Sequence, residues 1–189
     1  MSHMNNVDVS ATIFDGITTP QEIPLLVAFF DLTKFYAFSQ SVPVDTLFNL
    51  LSDYFEFAGD IIESSGGKVI KFIGDAGLMA YPEDRVDAGV MALLDLKRQG
   101  DAWLADRKAP SRNHIQAHFG PVKCGLLGTR SEKRFDIIGE TVNTAATLKS
   151  TGVVITPQVF RKLQPETRKF FKKHTPPITY ISLTDQHQN

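Results

Sequence analysis

One stretch restricts the possible folds more than any other: Pro24-Leu25-Leu26-Val27-Ala28-Phe29-Phe30, an unbroken apolar run that stops abruptly at Asp31. Seven residues is strand length, and apolarity without alternation belongs to a strand covered on both faces. The rest of the chain must supply both covers. With 189 residues, 42% of them hydrophobic, it can do so within one domain. Twenty basic residues against 21 acidic ones give a formal net charge of −1, which excludes attachment to nucleic acid through bulk positive charge. The single cysteine, Cys124, forbids an internal disulfide and accords with a reducing, cytoplasmic compartment. No apolar run approaches the ~20 residues of a membrane span, and no signal pattern opens the chain, so this segment is expected to make no membrane contact.

The flanking patterns supply the covers. Met1-Ser2-His3 ahead of Met4 reads as a tag remnant, and residues up to 22 as a polar, irregular arm. A single domain is expected over 23–185, with 186–189 as a tail. Val44, Leu47, Phe48, Leu51, Tyr54, Phe55, Ala58 and Ile62 recur at helical spacing behind Pro43, and Ser64-Ser65-Gly66-Gly67 ends that helix. Residues 68–73 and 76–81 form two strands around Gly74-Asp75, and 83–106 a second helix. Residues 114–122 and 123–127 read as a strand pair broken at Gly120-Pro121. Then come a short strand at 134–138, a helix over 140–150, a strand at 153–155, a helical region over 157–173 and a last strand at 178–183. The order β-α-β-β-α-β is that of the ferredoxin-like split unit, which predicts an α+β fold: a mainly antiparallel sheet with helices on one face.

Two aspartates stand out chemically. Asp31 lies at the mouth of a core strand, where partial desolvation is costly unless a cation meets the carboxylate. Asp75 occupies the turn of a hairpin with two apolar arms. If the hairpin lies beside the first strand, the two carboxylates converge. Hard oxygen ligands without nearby cysteine or histidine suit Mg2+ or Mn2+, and two such ions can bridge a phosphorylated substrate. The alternative is that each aspartate caps a turn. Leu32-Thr33-Lys34-Phe35 follows Asp31 and offers backbone N–H groups as an anion cradle, with Lys34 adding charge. His114 and His118 alternate with the strand period and read as sheet positions, Cys124 as a small packed hydrophobe, and the basic run 168–173 as the exposed face of a helix.

Phe30-Asp31 with Phe35, Lys71-Phe72-Ile73-Gly74-Asp75, Phe119-Gly120-Pro121-Val122 with Gly125 and Gly128, and Phe135-Asp136-Ile137-Ile138-Gly139-Glu140-Thr141-Val142-Asn143 follow one another in register with the expected strands. In this order they resemble the successive motifs of class III nucleotidyl (adenylyl/guanylyl) cyclase catalytic domains, over about residues 24–183. The resemblance implies a metal-dependent lyase acting in signal transduction: ATP to 3′,5′-cyclic AMP and pyrophosphate, with two Mg2+ or Mn2+ ions per site, in a homodimer whose sites lie between subunits. It implies Asp31 and Asp75 as metal ligands and Lys71 with Asp136 as the adenine-reading pair. Asn143 orients the ribose, and Arg130 falls near a phosphate-binding arginine. The chain departs from the pattern at Thr147, where the family's transition-state arginine is expected. That departure keeps two other readings open: a cyclase for UTP, CTP or GTP, and a nucleotide-binding pseudo-cyclase that serves in dimerisation.

Overall fold

The apolar run forms the centre of a sheet, as expected, within strand β1 (Gln21–Leu32). The computed structural model describes residues 13–149 and 151–183; the tag remnant, the first part of the arm and the tail lie outside them. After β1 come α1 (Phe35–Ser39), α2 (Val44–Ser64), β2 (Lys68–Ile73) and β3 (Ala76–Pro82), then a 3-10 turn (Glu83–Arg85) and α3 (Val86–Asp106). The chain continues through β4 (Asn113–Gly128), β5 (Lys133–Ile138), α4 (Glu140–Thr147), β6 (Val153–Ile155), α5 (Pro157–Lys162), α6 (Pro165–Arg168), β7 (Phe171–His174) and β8 (Thr179–Ser182). The sheet order is β2-β3-β1-β4-β6-β8-β7, with β5 also pairing β4. Among the described residues only the β4–β6 pair is parallel. The β-α-β-β-α-β order and the α+β class stand.

Period-two alternation assigns the faces of β1. Leu26, Ala28 and Phe30 point into a core closed by Tyr54, Ala58 and Ile62 of α2 and by Val90, Leu93 and Leu96 of α3. Leu25 and Val27 point the other way, into a second core with Phe14, Ile17, Val122, Cys124 and Ala145. The helices are therefore not confined to one face: α4 and residues 13–17 cover part of the opposite side. A fully apolar strand required this, since either uncovered face would leave large side chains in water. The arm is accordingly not all irregular lead-in, because Phe14 and Ile17 are buried and Phe14 meets Phe135 edge-on at 5.8 Å.

Two expectations about elements are corrected. Residues 114–127 are not a strand pair: β4 runs unbroken through Gly120-Pro121. Pro121 falls between the residues that pair with β6 (115–117) and those that pair with β5 (123–128), so its missing N–H removes no ladder bond on that side. Residues 157–173 are not one helical region. Pro165 forces Gln164 into an extended conformation (ψ 152°), which splits the helix, and Phe171 then opens β7, paired with Ser182 of β8. The basic run 168–173 thus spans a helix end and an edge strand.

The β2–β3 turn needs its glycines. Gly74 has φ 63°, and Gly77 lies against the Phe30 ring so closely that a Cβ there would overlap it. Gly77→Ala should lower the free energy of unfolding by ~1–3 kcal/mol through overpacking. Urea titration checks this, with a lower midpoint expected at unchanged slope.

Candidate active site

The hairpin β2–β3 lies antiparallel to β1, with Phe30 opposite Gly77. That register carries Asp31 and the turn residue Asp75 to the same end of the sheet. The carboxylates are close enough to interact by charge and hydrogen bond, and the backbone N–H of Leu32 donates to Asp75. Burial pushes the Asp75 carboxyl above its ordinary 3.8, and the facing Asp31 adds to the rise. Because Asp31 alternates with Phe30 and Leu32 of the first core, it leaves the sheet on the α4 face, opposite His114 of β4.

The anion cradle is smaller than the sequence reading held. The Leu32 side chain is buried and its amide serves Asp75. The Thr33 amide donates to the Arg112 carbonyl at 2.9 Å, and Thr33 Oγ1 accepts from the Arg112 N–H at 3.0 Å. The chain then turns through Lys34, whose φ of 57° is left-handed, into the single-turn helix α1 that Phe35 begins. Lys34 is exposed and Phe35 packs at the edge of the first core.

A second group forms where β2 meets β5. Phe72 stacks on Phe55 of α2 at 3.8 Å, so its neighbour Lys71 leaves the sheet on the opposite face. There Lys71 Nζ donates to Asp136 Oδ2 at 2.6 Å, while Asp136 Oδ1 accepts the Ile137 N–H at 2.8 Å. The half-exposed lysine and mostly covered carboxylate present a donor and an acceptor side by side. Asn143 follows one turn into α4 and is exposed, and Thr147 lies one further turn along the same face. The Thr147 hydroxyl donates back to the Thr144 carbonyl at 3.0 Å, so it offers neither charge nor a free proton to that face. Arg130, in the β4–β5 turn, and Lys149, just past α4, are exposed.

Other residues keep structural surroundings. His118 Nδ1 contacts Thr156 Oγ1 at 2.8 Å, and burial lowers its pKa against the pull of Glu140. Burial pushes the Cys124 thiol up to about 11, consistent with a packed, unreactive side chain.

The donor chemistry of the carboxylate pair fits a divalent cation. Two hard carboxylates share one end of the sheet, and burial, with the nearby Asp31 adding to it, raises Asp75; a Mg2+ or Mn2+ ion bound by both would offset that cost. Among the described residues no third histidine, cysteine, aspartate or glutamate joins them, so the remaining ligands must come from backbone, water and substrate oxygens. What the sequence concealed is the backbone that sets this pair: the Leu32 amide and the Thr33–Arg112 clamp carry no side-chain signature.

Comparison with known proteins places this geometry among relatives. Residues 19–177 match the family model described as the adenylate and guanylate cyclase catalytic domain. The chain is 25% identical over 158 residues to an adenylate cyclase of Anabaena cylindrica, covering 76% of this chain and 32% of that protein. It is 28% identical over 164 residues to retinal guanylyl cyclase 2 of Mus musculus, covering 81% and 15% respectively. It thus spans a third or less of the length of these two relatives. Among solved structures it resembles a bacterial light-regulated adenylyl cyclase with TM-score 0.79 and 23% identity, over 91% of this chain and 55% of that one. It also resembles the adenylyl cyclase CyaB from P. aeruginosa with TM-score 0.76 and 18% identity, over 90% and 99%.

The raised Asp75 gives a signed pH prediction. A carboxyl whose folded pKa lies above its unfolded value stabilises the fold below the unfolded value, and that contribution is lost as pH rises through the folded one. In metal-free buffer at neutral pH, Asp75→Asn should therefore melt higher than the parent, with the difference vanishing below about pH 4. Mn2+ should raise the melting temperature of the parent and leave the variant unmoved. Thermal melts across pH, with and without Mn2+, check both.

Proposed function

From the premise that the chain belongs to the family of adenylate and guanylate cyclase catalytic domains, matched over residues 19–177, we propose that it converts ATP to 3′,5′-cyclic AMP and pyrophosphate in a cytoplasmic homodimer. The observation that carries the choice of base is the Lys71–Asp136 pair, held at 2.6 Å with one Asp136 oxygen already fixed by a backbone N–H. Adenine presents an acceptor at N1 beside a donor on its exocyclic amine, which matches lysine and aspartate. Guanine reverses both groups and would leave two partly buried charges unpaired.

Each residue then has a part. Asp31 and Asp75 would hold the divalent ions, two per site in this proposal. When bound, those ions supply Lewis-acid activation of the ribose 3′ hydroxyl and neutralise charge on the phosphates. Lys71 and Asp136 of the partner subunit fix the adenine, and the partner's Asn143 orients the ribose so that its 3′ oxygen lies in line with the α-phosphate. Lys34 and Phe35 border the phosphates beyond Asp31, where Leu32 and Thr33 fix the backbone. Arg130, in the β4–β5 turn, and Lys149, after α4, are the exposed cations assigned to the departing phosphates. That the site is shared between two subunits is part of this proposal and rests on the family resemblance.

A second reading is favoured by one feature, the Thr147 hydroxyl turned back onto its own helix. With no preorganised cation on that face of α4, the chain acts as a nucleotide-binding dimerisation module with slow turnover. Absence of one such group costs ~10²–10³-fold in rate.

Assay of the purified chain against ATP, GTP, CTP and UTP, with Mg2+ and with Mn2+, separates these readings. Cyclic AMP as the main product is expected, and a dominant cyclic pyrimidine nucleotide or cyclic GMP would overturn the base assignment. Thr147→Arg should raise kcat at least tenfold, towards the ~10²-fold worth of one preorganised cation. An unchanged, already high rate would show that Lys149 or Arg130 does that work. Mixing Asp31→Ala with Asn143→Ala chains should restore part of the lost activity, and no recovery would exclude sites shared between subunits.

A further inference from the structure

Between α2, α3 and the first residue of β4 lies a buried polar cluster with no part in the reading so far. Tyr54 and Asn113 are both fully buried. The Tyr54 hydroxyl donates to Asn113 Oδ1 at 2.5 Å. Asn113 in turn donates its backbone N–H and its Nδ2 to Asp101 Oδ1, at 2.7 and 3.0 Å. Lys97, one turn earlier on α3, donates to Asp101 Oδ2 at 2.7 Å. The cluster depends on Gly100, where a Cβ would stand 2.7 Å from the Tyr54 oxygen and 2.8 Å from Asn113 Nδ2.

We infer that Tyr54, Asp101 and Asn113 are positioning residues for the Asp31–Asp75 pair; this rests on the metal-site reading above. Asn113 is the register partner of Leu32, the residue whose N–H holds the Asp75 carboxylate. The next residue, His114, stands opposite Asp31, and the preceding one, Arg112, closes two hydrogen bonds with Thr33. Fixing Asn113 therefore fixes the strand end from which both carboxylates are set. A charged cluster at a helix–sheet junction adds little net stability over apolar packing, but its directional bonds permit only one placement of the backbone. The first core could be closed here by leucine, as it is elsewhere along α3; a polar lock stands instead at the end of β4 that touches the carboxylates.

The test counts Mn2+ bound to the nucleotide-free full chain, from the electron paramagnetic resonance signal of the free ion. Tyr54→Phe removes one hydroxyl without opening a cavity. It should weaken Mn2+ binding about tenfold, the lower end of the loss for outer partners of metal ligands, and raise the Mn2+ concentration needed for half-maximal activity by the same factor. Asn113→Ala should act in the same direction and more strongly. Thr167→Val is the control: it removes a buried hydroxyl bond to Asp87 at the opposite end of α3, 3.0 Å long, and should lower the melting temperature with Mn2+ binding unchanged. The inference is overturned if Tyr54→Phe lowers the melting temperature yet binds Mn2+ like the parent. If Asp31→Ala also binds Mn2+ like the parent, the metal reading itself has failed and the lock with it, an outcome distinct from failure of the lock alone.

Discussion

The contact on which the site depends is one between like charges. Asp31 and Asp75 come from segments that share no local structure, one at the end of the central strand and the other in the turn of the neighbouring hairpin. Folding brings their carboxylates together in partly desolvated surroundings, and the cost is visible in the raised Asp75. Nothing in the packing of the sheet asks for this. The register of β1 with β3, which the apolar cores fix on both faces, imposes it. The same covalent and hydrogen-bonded framework that makes the fold rigid therefore holds the two carboxylates together at one end of the sheet.

The rest of the molecule is arranged around that end of the sheet. β1 is buried on both faces, so neither Asp31 nor Leu32 can shift without moving a core side chain. The Leu32 amide and the Thr33–Arg112 clamp use up backbone donors that a sequence reading would have left free for phosphate. The chain thus spends those donors on positioning the carboxylates. The Lys71–Asp136 pair behaves differently: it closes on itself at the surface, where its two charges satisfy each other at modest cost. Under the proposed function, a base entering between them would exchange that ion pair for two bonds of its own, which favours a ligand offering an acceptor beside a donor.

Much of this was legible in the residues, for reasons that can be named. The Pro24–Phe30 run, the helical stripe from Val44 to Ile62 and the Gly74-Asp75 turn are strong periodic or steric signals, and each appears where its pattern put it. The convergence of Asp31 and Asp75 followed once the hairpin was set beside β1. The errors came where a local breaker was outvoted by long-range pairing, or where periodicity was stretched across a proline. Pro121 sits in β4 because neither β5 nor β6 pairs with it and its β1 partner is Pro24, and Pro165 ends what looked like one amphipathic helix. The cover of the second face by α4 and by Phe14 and Ile17 was missed because a short helix and two isolated apolar residues carry no period of their own. Tyr54 lay within the apolar stripe of α2, and nothing in that spacing distinguishes a packed ring from one whose hydroxyl anchors a strand.

Thr147 shows how far geometry reaches beyond composition. A threonine on an exposed helical face has two uses for its hydroxyl, an outward bond to a ligand or a backward bond to its own helix, and here it takes the second. Cyclisation of a triphosphate places growing negative charge on the α-phosphate and on the departing pyrophosphate, and charge of that kind is stabilised by cations fixed in advance. If turnover is fast, the positive charge must arrive from a segment outside α4; Lys149, after the helix, and Arg130, in the β4–β5 turn, are two exposed cations of that kind. Under the proposed function, the position of one cation therefore decides between a fast cyclase and a nucleotide-binding dimerisation module built on the same frame.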